Sequence, residues 1–471
     1  MNGRWVIVLI MMGLLTACKV GPNYQRAKVQ APPAFRGVAN PAAQPDPQTL
    51  ADLKWFDVFK DEKLQELIRQ ALVSNYDLRE AVARVEQAQA NYGITRSDQF
   101  PTIYAGAQAT TQGISRNGNF FALPEDAKRN RVFGSVLLNL LTFELDIWGR
   151  LRRATEAAKA ELLASEEARK AVVTTLVSDV AAAYFNLREL DFELEIAKST
   201  LTSRQESLRI ISLRQERGVS TMLEVRQAEQ LVYSATEVIP ATERAIEQQE
   251  NFLSFLTGRN PTEVPRGLSL TDHQLPPSVP PGLPSDLIER RPDIRAAEEN
   301  LVSANARIGV AKAAYFPRIT LTGFLGFQSR QLSNLFNGSQ GVWAFGPELT
   351  QPIFTAGRIK SEVRFARAQR EAFLVNYERV IQAAFREVSD SLIAYRKVRE
   401  VRAQRALLVE TLTDRSRLAY MRYNGGVSTL LEALDADRDL FDAQLRLAQS
   451  RRDELLSVVL LYKALGGGWQ V

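Results

Sequence analysis

Residues 77–104 read DLREAVARVEQAQANYGITRSDQFPTIY, and residues 293–320 read DIRAAEENLVSANARIGVAKAAYFPRIT. The two stretches align without a gap, and both end in a Phe-Pro pair, at Phe100-Pro101 and at Phe316-Pro317. Further along the chain, Gly218-Val219-Ser220-Thr221 recurs as Gly426-Val427-Ser428-Thr429. Matches that keep their order and spacing through a chain predict a duplicated structural unit.

Each half contains one long segment without helix-breaking residues. Residues 151–216 and 359–423 contain no Gly and no Pro. At ~1.5 Å rise per residue, each is predicted to form a helix roughly 100 Å long. In the first segment, apolar residues recur at spacings of three and four, interrupted by Arg204, and this heptad pattern predicts coiled-coil packing. The apolar positions are Leu187, Leu190, Leu194, Ala197, Leu201, Leu208 and Ile211.

Shorter helices are predicted at 222–256 and 430–464, directly after the two Gly-Val-Ser-Thr segments. Each of these segments therefore is predicted to close an antiparallel helical hairpin. We call residues 218–221 the first tip and residues 426–429 the second tip. Alanine-rich helices of about 22 residues are also predicted before each Phe-Pro pair, at 77–98 and 293–314.

The segments between each Phe-Pro pair and the next helix are predicted to be β-hairpins, so that one chain supplies four strands. Apolar residues alternate with polar ones there, and each segment contains a Gly/Asn-rich loop, Asn117-Gly118-Asn119 or Asn337-Gly338-Ser339. Known single-chain bacterial barrels need at least about eight strands, so four can close only by oligomerisation. The alternating apolar positions are Ile319, Leu321, Leu325 and Phe327 in one run, and Phe143, Leu145 and Ile147 in another.

The N-terminus has the features of a secretory signal. A short basic start, which ends at Arg4, precedes an apolar run from Trp5 to Leu15 that is too short to span a membrane. The sequence Leu15-Thr16-Ala17-Cys18 resembles the bacterial lipobox, which implies that Cys18 becomes the lipidated first residue of the mature protein. Lys19 follows where inner-membrane lipoproteins usually have Asp, so the same resemblance implies an outer-membrane anchor. The alternative is an ordinary signal peptide that happens to contain a cysteine.

Composition excludes several other functions. The chain of 471 residues has 59 basic and 54 acidic residues dispersed along its length, which leaves no basic stripe for nucleic acid. A single cysteine rules out a disulfide framework and cysteine zinc clusters. The only histidine, His273, is expected on the surface of a proline-rich connector. No phosphate loop, nucleophile elbow or metal-spaced cluster is visible, so we expect neither an enzyme, nor a metal, nor a cofactor.

The predicted domain organisation follows from these segments. Residues 1–17 are the signal peptide and residues 18–60 an N-terminal extended segment. The first repeat spans 61–258, with a helix, a β-hairpin at 101–148 and a helical hairpin at 151–256. Residues 259–292 form a Pro-rich equatorial connector, an extended surface segment rather than part of the core. The second repeat spans 293–468, with a helix, a β-hairpin at 317–356 and a helical hairpin at 359–464.

The chain resembles the TolC-like outer-membrane efflux proteins, and within them the lipid-anchored branch that serves RND-type drug efflux pumps. The motifs that carry the resemblance cover nearly the whole mature chain. Besides the repeated Phe-Pro pairs and the two tips, they are Cys18-Lys19-Val20-Gly21-Pro22-Asn23-Tyr24, Trp55-Phe56, Glu144-Leu145-Asp146-Ile147-Trp148-Gly149-Arg150 and Arg291-Pro292-Asp293-Ile294.

The resemblance implies the fold class of an α+β membrane protein with an internal two-fold repeat. Three identical chains would form a long α-helical coiled-coil periplasmic barrel and a transmembrane β-barrel, to which each chain gives four strands. It also implies a passive exit duct in the outer membrane, without catalysis. The partners implied are outer-membrane lipid, a periplasmic adaptor protein that docks at the tips, and an inner-membrane RND-type transporter. The alternative for the tip residues is that they only make a turn and cap the next helix.

The resemblance further implies a periplasmic gate beyond the second tip. Glu432 and Asp435 match the family's acidic gate positions, and Leu431 matches an apolar constriction. Glu224 and Tyr423 match a pair that links neighbouring helical hairpins. Ser428 stands where some relatives have a basic residue, which weakens any salt-bridge latch at that position. The alternative for the two carboxylates is a solvated helix face.

Two other functions remain open at this point. One is the outer-membrane channel of a type I protein secretion system. The other is a lipid-anchored coiled-coil tether without a pore, against which the alternating apolar strands argue.

Overall fold

A computed structural model describes residues 19–37, 50–113, 115, 130–273 and 282–469. Cys18 and the predicted signal peptide lie outside the described residues. So do the Asn117-Gly118-Asn119 loop, Pro276-Pro277 and Pro280-Pro281.

Helices make up most of the described chain. In chain order they are α1 (Trp55–Val58), α2 (Glu62–Ser74), α3 (Tyr76–Ser97), α4 (Arg150–Glu216), α5 (Met222–Leu256), α6 (Pro284–Arg290), α7 (Pro292–Ala313), α8 (Arg358–Asn424) and α9 (Leu430–Ala464). Short 3₁₀ turns occur at Leu50–Asp52, Leu332–Asn334 and Gly338–Gln340. Among the described residues, none of the helices is both long and apolar enough to cross a membrane.

Four antiparallel strands form one sheet in the order β1-β2-β3-β4. They are β1 (Ile103–Gly113), β2 (Asn130–Glu144), β3 (Arg318–Ser329) and β4 (Gly341–Thr350). The sheet joins the two repeats, because β2 of the first pairs with β3 of the second through contacts such as Leu138 with Leu325. β2 ends at Glu144, so the predicted alternation through Leu145 and Ile147 continues past the strand into the connection before α4.

The duplication is visible in the lengths of the helices. α3 and α7 have 22 residues each, α4 and α8 have 67 each, and α5 and α9 have 35 each. Pro240 lies inside α5 without ending it. The predicted fold class is confirmed in its internal repeat, its long helical hairpins and its four antiparallel strands.

The described chain divides into two compact units. The first contains the sheet and comprises residues up to 27 together with 86–164 and 297–377. The second contains both tips and comprises 28–85, 165–296 and 378–471.

In the first unit, the N-terminal segment of residues 19–27 is held against helices by a buried arginine. Arg153 of α4 is 1% exposed. Its guanidinium donates to the carbonyls of Val20 and Gly21, both at 3.2 Å, and to Oδ1 of Asn23 at 2.8 Å. These three hydrogen bonds satisfy carbonyl and amide oxygens that would otherwise be costly to bury. The first residues after Cys18 are therefore part of the folded unit.

Two glycines allow this segment to approach α7 closely. Gly21 has φ +99°, and a Cβ added to it would lie 2.5 Å from the Cα of Gly309. A Cβ on Gly309 would lie 2.7 Å from the Val20 carbonyl oxygen. Gly93, the repeat equivalent of Gly309, has open space around it. The same glycine therefore has a packing role in only one of the two repeats.

In the second unit, the described part of the connector is packed rather than superficial. Val264 and Leu270 are buried. Oδ2 of Asp61 accepts hydrogen bonds from the Leu268 amide at 2.9 Å and the Tyr184 hydroxyl at 2.8 Å. The expectation that this segment lies outside the core was therefore wrong, because a buried carboxylate fixes its backbone.

The expectation of a surface position for His273 was also wrong. Its ring packs edge-on against Phe185, with 5.1 Å between centroids, and its Nε2 lies 3.8 Å from Oδ2 of Asp61. Burial lowers the pKa of His273 below its usual value, because the charged imidazolium loses its hydration. The histidine is thus a packed residue that helps to hold the connector.

Candidate docking and gating site at the helical tips

Both tips turn the chain through a glycine with positive φ. Gly218 has φ +72° and Gly426 has φ +75°, in the left-handed region that glycine occupies without strain. At the first tip, the Val219 amide donates to the Arg214 carbonyl at 2.8 Å. At the second, the Val427 amide donates to the Arg422 carbonyl at 3.1 Å. These bonds satisfy carbonyls at the helix ends, as in other glycine-capped helices.

The helix after each tip starts differently, although the two sequences match. Thr221 caps α5, because the Glu224 amide donates to its hydroxyl at 3.3 Å and its own amide donates to the Glu224 carboxylate at 2.7 Å. This reciprocal pair is a capping box. At the second tip, Thr429 makes no side-chain cap, and the Glu432 carboxylate accepts a hydrogen bond from the Ser428 hydroxyl. Glu432 therefore takes no part in a capping box at the start of α9.

Exposed apolar side chains surround both tips. Val219 is 66% exposed and Val427 is 70% exposed. Met222, Leu223 and Leu431 are exposed as well. Apolar side chains gathered at a loop tip are typical of surfaces that contact another protein.

An apolar core beneath the tips joins all four long helices of the second unit. Its members are Ile211, Val225, Ala228, Leu231, Ala419, Tyr423, Leu430, Ala433, Leu434 and Ala436. The core brings the predicted site residue Tyr423 and the start of α9 together within one chain.

Tyr423 and Glu224, predicted as a linking pair, do not bond to each other in this chain. The Glu224 carboxylate is engaged in the capping box, and the Tyr423 ring packs under the guanidinium of Arg214, at 4.8 Å from the ring centroid. Tyr423 is 8% exposed, and its hydroxyl has no hydrogen-bond partner among the described residues. A buried hydroxyl without a partner is costly, so this atom destabilises the packing beneath the tips.

Asp435 forms an ion pair that the sequence reasoning missed. Its Oδ1 lies 3.3 Å from Nη1 of Arg438, one turn further along α9. Arg438 also contacts Asp439, which pairs in turn with Arg415 of α8 at 2.7 Å. Hydrogen bonding from Arg415 lowers the pKa of Asp439, because the bond favours the charged carboxylate. The i,i+3 spacing of Asp435 and Arg438 was the signal available in the sequence.

Arg204, which interrupts the heptad pattern, joins three helices. It is 3% exposed. Its Nε donates to Oδ2 of Asp437 on α9 at 2.7 Å, and its Nη1 donates to the Leu231 carbonyl of α5 at 3.0 Å. Its guanidinium also lies over the Phe441 ring, at 4.9 Å from the centroid. The break in the apolar pattern is therefore a buried ion pair between the two helical hairpins.

The described residues contain no group of three or more His, Cys, Asp or Glu side chains that could hold a metal ion. The site consists of two apolar tips, the Glu432 carboxylate, which takes no part in a capping box, and the buried Tyr423 hydroxyl, which has no partner among the described residues.

Duplicated helical hairpins joined through one four-stranded sheet define a class of outer-membrane proteins. The family described as outer membrane efflux protein matches the chain over residues 67–259 and 283–467. The chain therefore belongs to the outer membrane efflux protein family.

Individual relatives align along nearly the whole chain. It is 38% identical over 473 residues to the solvent efflux pump outer membrane protein SrpC of Pseudomonas putida, covering 99% of this chain and 98% of that protein. It is 36% identical over 462 residues to the cation efflux system protein CusC of Escherichia coli, covering 97% of each. The open-state crystal structure of the Neisseria gonorrhoeae MtrE outer membrane channel has a TM-score of 0.86 and 34% identity, covering 96% of this chain and 99% of that one.

The two tips provide a matched test of the capping box. We expect Glu224→Ala to speed amide hydrogen exchange at Thr221 about fivefold, because the Thr221 amide loses a hydrogen bond worth about 1 kcal/mol. Glu432→Ala should leave exchange at Thr429 unchanged, since its carboxylate contacts the Ser428 hydroxyl. Hydrogen-exchange mass spectrometry of the tip peptides measures both, and equal effects at the two tips would contradict this assignment.

Proposed function

We propose that the chain is the outer-membrane exit duct of a tripartite efflux pump and conducts small molecules passively. The observation that carries the proposal is that the duplicated 67-residue helices follow strands with exposed apolar side chains and end at exposed apolar tips. On β4, Trp343, Phe345 and Leu349 are exposed at alternate positions, which suits a strand that faces lipid. A tether without a pore has no use for such a face.

Three copies would complete the assembly. β1 and β4 each have one edge without a partner strand in the described sheet. Backbone groups must all be hydrogen-bonded within a membrane, so these edges need strands from other copies. We therefore propose a homotrimer, in which twelve strands and twelve helical segments surround one passage. No step of this function calls for a catalytic group, a metal or a cofactor.

We further propose that the tips dock a periplasmic adaptor protein, which connects the duct to an inner-membrane RND-type transporter. Val219 and Val427 support this role by their exposure, and Gly218 and Gly426 by the open space around them. The names of the relatives are those of efflux pump proteins, which favours this function over a type I secretion channel.

The gate is proposed at Leu431, Glu432 and Asp435, with Glu224 and Tyr423 as contacts between hairpins in the assembled channel. Leu431 and Glu432 are both exposed, and Glu432 takes no part in a capping box. Both side chains are therefore available to a passage lined by three copies. The Tyr423 hydroxyl is buried and unpartnered in the single chain, so a bond to a neighbouring copy would require the side chains that cover it to move. Three copies of each carboxylate around a narrow passage would favour cations.

Mature Cys18 is proposed to carry the lipid anchor. The variant Cys18→Ala should lose the acyl groups, because the thiol is the only one in the chain. Mass spectrometry of the N-terminal peptide from purified membranes checks this. Acyl groups that persisted in the variant would contradict the assignment.

Bilayer recordings test the gate. We expect Glu432→Gln with Asp435→Asn to raise single-channel conductance or weaken cation preference, because a ring of repelling charges is removed. Tyr423→Phe should also raise conductance if the proposed contact between hairpins holds the closed state, since it deletes only the hydroxyl. The matched control is Glu410→Gln with Asp442→Asn, which removes the same charges from ordinary helix positions. Currents unchanged in both gate variants would place the constriction elsewhere, and the absence of any pore would refute the duct.

Docking at the tips is tested by photo-crosslinking in cells. A crosslinker in place of Val219 or Val427 should capture a periplasmic adaptor with a helical hairpin. Val375 of α8 is also exposed, and a crosslinker there is the control, with no adaptor expected. Equal capture from all three positions, or capture of none, would count against the tips.

A further inference from the structure

The surface beside the N-terminal segment contains an aromatic stack that ties the two repeats together. The rings of Trp148 and Phe316 are stacked, with centroids 4.7 Å apart, and Nε1 of Trp148 donates to the Pro317 carbonyl at 2.7 Å. The Trp148 carbonyl accepts the Val20 amide at 3.0 Å. The segment that follows Cys18 is thus bonded directly to the residue that forms the stack.

This stack lies at the end of the sheet where strands give way to helices. Phe316 and Pro317 directly precede Arg318, the first residue of β3, and Trp148 lies between the end of β2 and the start of α4. The sheet register places both junctions at the same end, because Glu144 of β2 pairs with Thr320 of β3. If the strands enter lipid, this is the level of the lipid headgroups, where Trp and other amphipathic side chains are enriched in membrane proteins.

Lys312 stands next to this surface without an ion pair. It lies one turn beyond Gly309 on the same face of α7, and Gly309 is the residue that the N-terminal segment touches. Among the described residues, Lys312 is half-buried and has no carboxylate partner.

Four basic residues of the strand–helix junctions and the N-terminal segment form ion pairs. Lys19 contacts Glu156 at 3.3 Å, Arg152 contacts Asp146 at 3.1 Å, and Arg150 and Arg318 both contact Glu144, at 2.8 and 2.7 Å. Lys312 differs from these four residues, because its ammonium group has no carboxylate partner among the described residues. Its long stem can cover apolar surface while the charge reaches a phosphate.

We propose that Lys312 and the Trp148–Phe316 stack bind an anionic glycerophospholipid, with its phosphate on the ammonium group and its glycerol and upper acyl region against the rings. The occupant follows from three features: the unpaired ammonium group of the half-buried Lys312, the partly exposed rings of Trp148 and Phe316, and the acyl groups proposed on Cys18. Arg153 and the Gly21–Gly309 contact hold residues 20–23 against α4 and α7. The inference rests on the proposed membrane function and identifies the lipid class at this position.

The test uses the purified, detergent-solubilised full-length mature protein and native mass spectrometry. Titration with phosphatidylglycerol and with phosphatidylcholine gives an apparent Kd for each lipid. We expect phosphatidylglycerol to bind about fivefold more tightly, which corresponds to about 1 kcal/mol for one basic residue at an anionic headgroup. Lys312→Gln should abolish this preference and Lys312→Arg should retain it.

The matched control is Lys159→Gln. Lys159 is an exposed lysine that also has no carboxylate partner in the described chain, and it lies nine residues into α4, or ~14 Å along the helix axis. Its replacement should leave the lipid preference unchanged. Phe316→Ala should weaken both lipids alike, because the ring contacts the part they share. Inorganic phosphate should not displace the lipid, since it lacks the apolar part that the rings bind.

The proposal is overturned if the native protein shows no lipid preference, if Lys312→Gln keeps it, or if Lys159→Gln removes it equally. Full displacement by inorganic phosphate would also overturn it, since the site would then bind a free anion. Bilayer conductance of Lys312→Gln separates this proposal from the proposed function. A normal pore with lost lipid preference supports both, whereas a native protein that forms no pore refutes the duct itself.

Discussion

The two unpaired edges of the sheet constrain everything else in this molecule. Within the described chain, β1 and β4 have a partner on one side only. A sheet with apolar side chains on β4 and open backbone edges is unstable in lipid and prone to association in water. In the proposed homotrimer, other copies of the same chain solve both problems. The duplication connects each β-hairpin to its own helical hairpin. Three chains of the proposed trimer would therefore supply six β-hairpins and six helical hairpins.

The duplication also shows how one sequence pattern is used in two ways. Thr221 and Glu224 close a capping box, whereas the equivalent Thr429 and Glu432 do not. Gly309 is required by the N-terminal segment, whereas the equivalent Gly93 faces open space. A repeat supplies the same local propensity twice, and the surroundings decide its role. Asymmetry between equivalent residues is therefore a useful guide to function in this fold.

Much of this architecture could be predicted from the sequence. Helix ends at Gly218 and Gly426, the long glycine-free helices and the Phe-Pro junctions follow from local rules, because breakers and caps act within a few residues. The burial of His273, the partner of Arg204 and the role of Arg153 could not be predicted, since each depends on residues far away in the chain. Asp437 is 233 positions from Arg204, and Val20 is 133 positions from Arg153. The Asp435–Arg438 pair could be predicted from its i,i+3 spacing. Its effect on the proposed gate could not, because that depends on which other residues surround the pair in the fold.

Arg204 limits how the tips can move. It bonds to α5 and α9 from within α4, and its side chain is buried. A movement that separated α9 from α4 at this level would leave a buried charge without its partner, at a cost of about 3–5 kcal/mol per chain. The cost would apply to each of three copies. The proposed gate residues Leu431, Glu432 and Asp435 all lie between the second tip and Asp437. Displacement of the tips is therefore least costly when it bends the helices beyond this ion pair, or moves both hairpins of a chain together and leaves the pair intact.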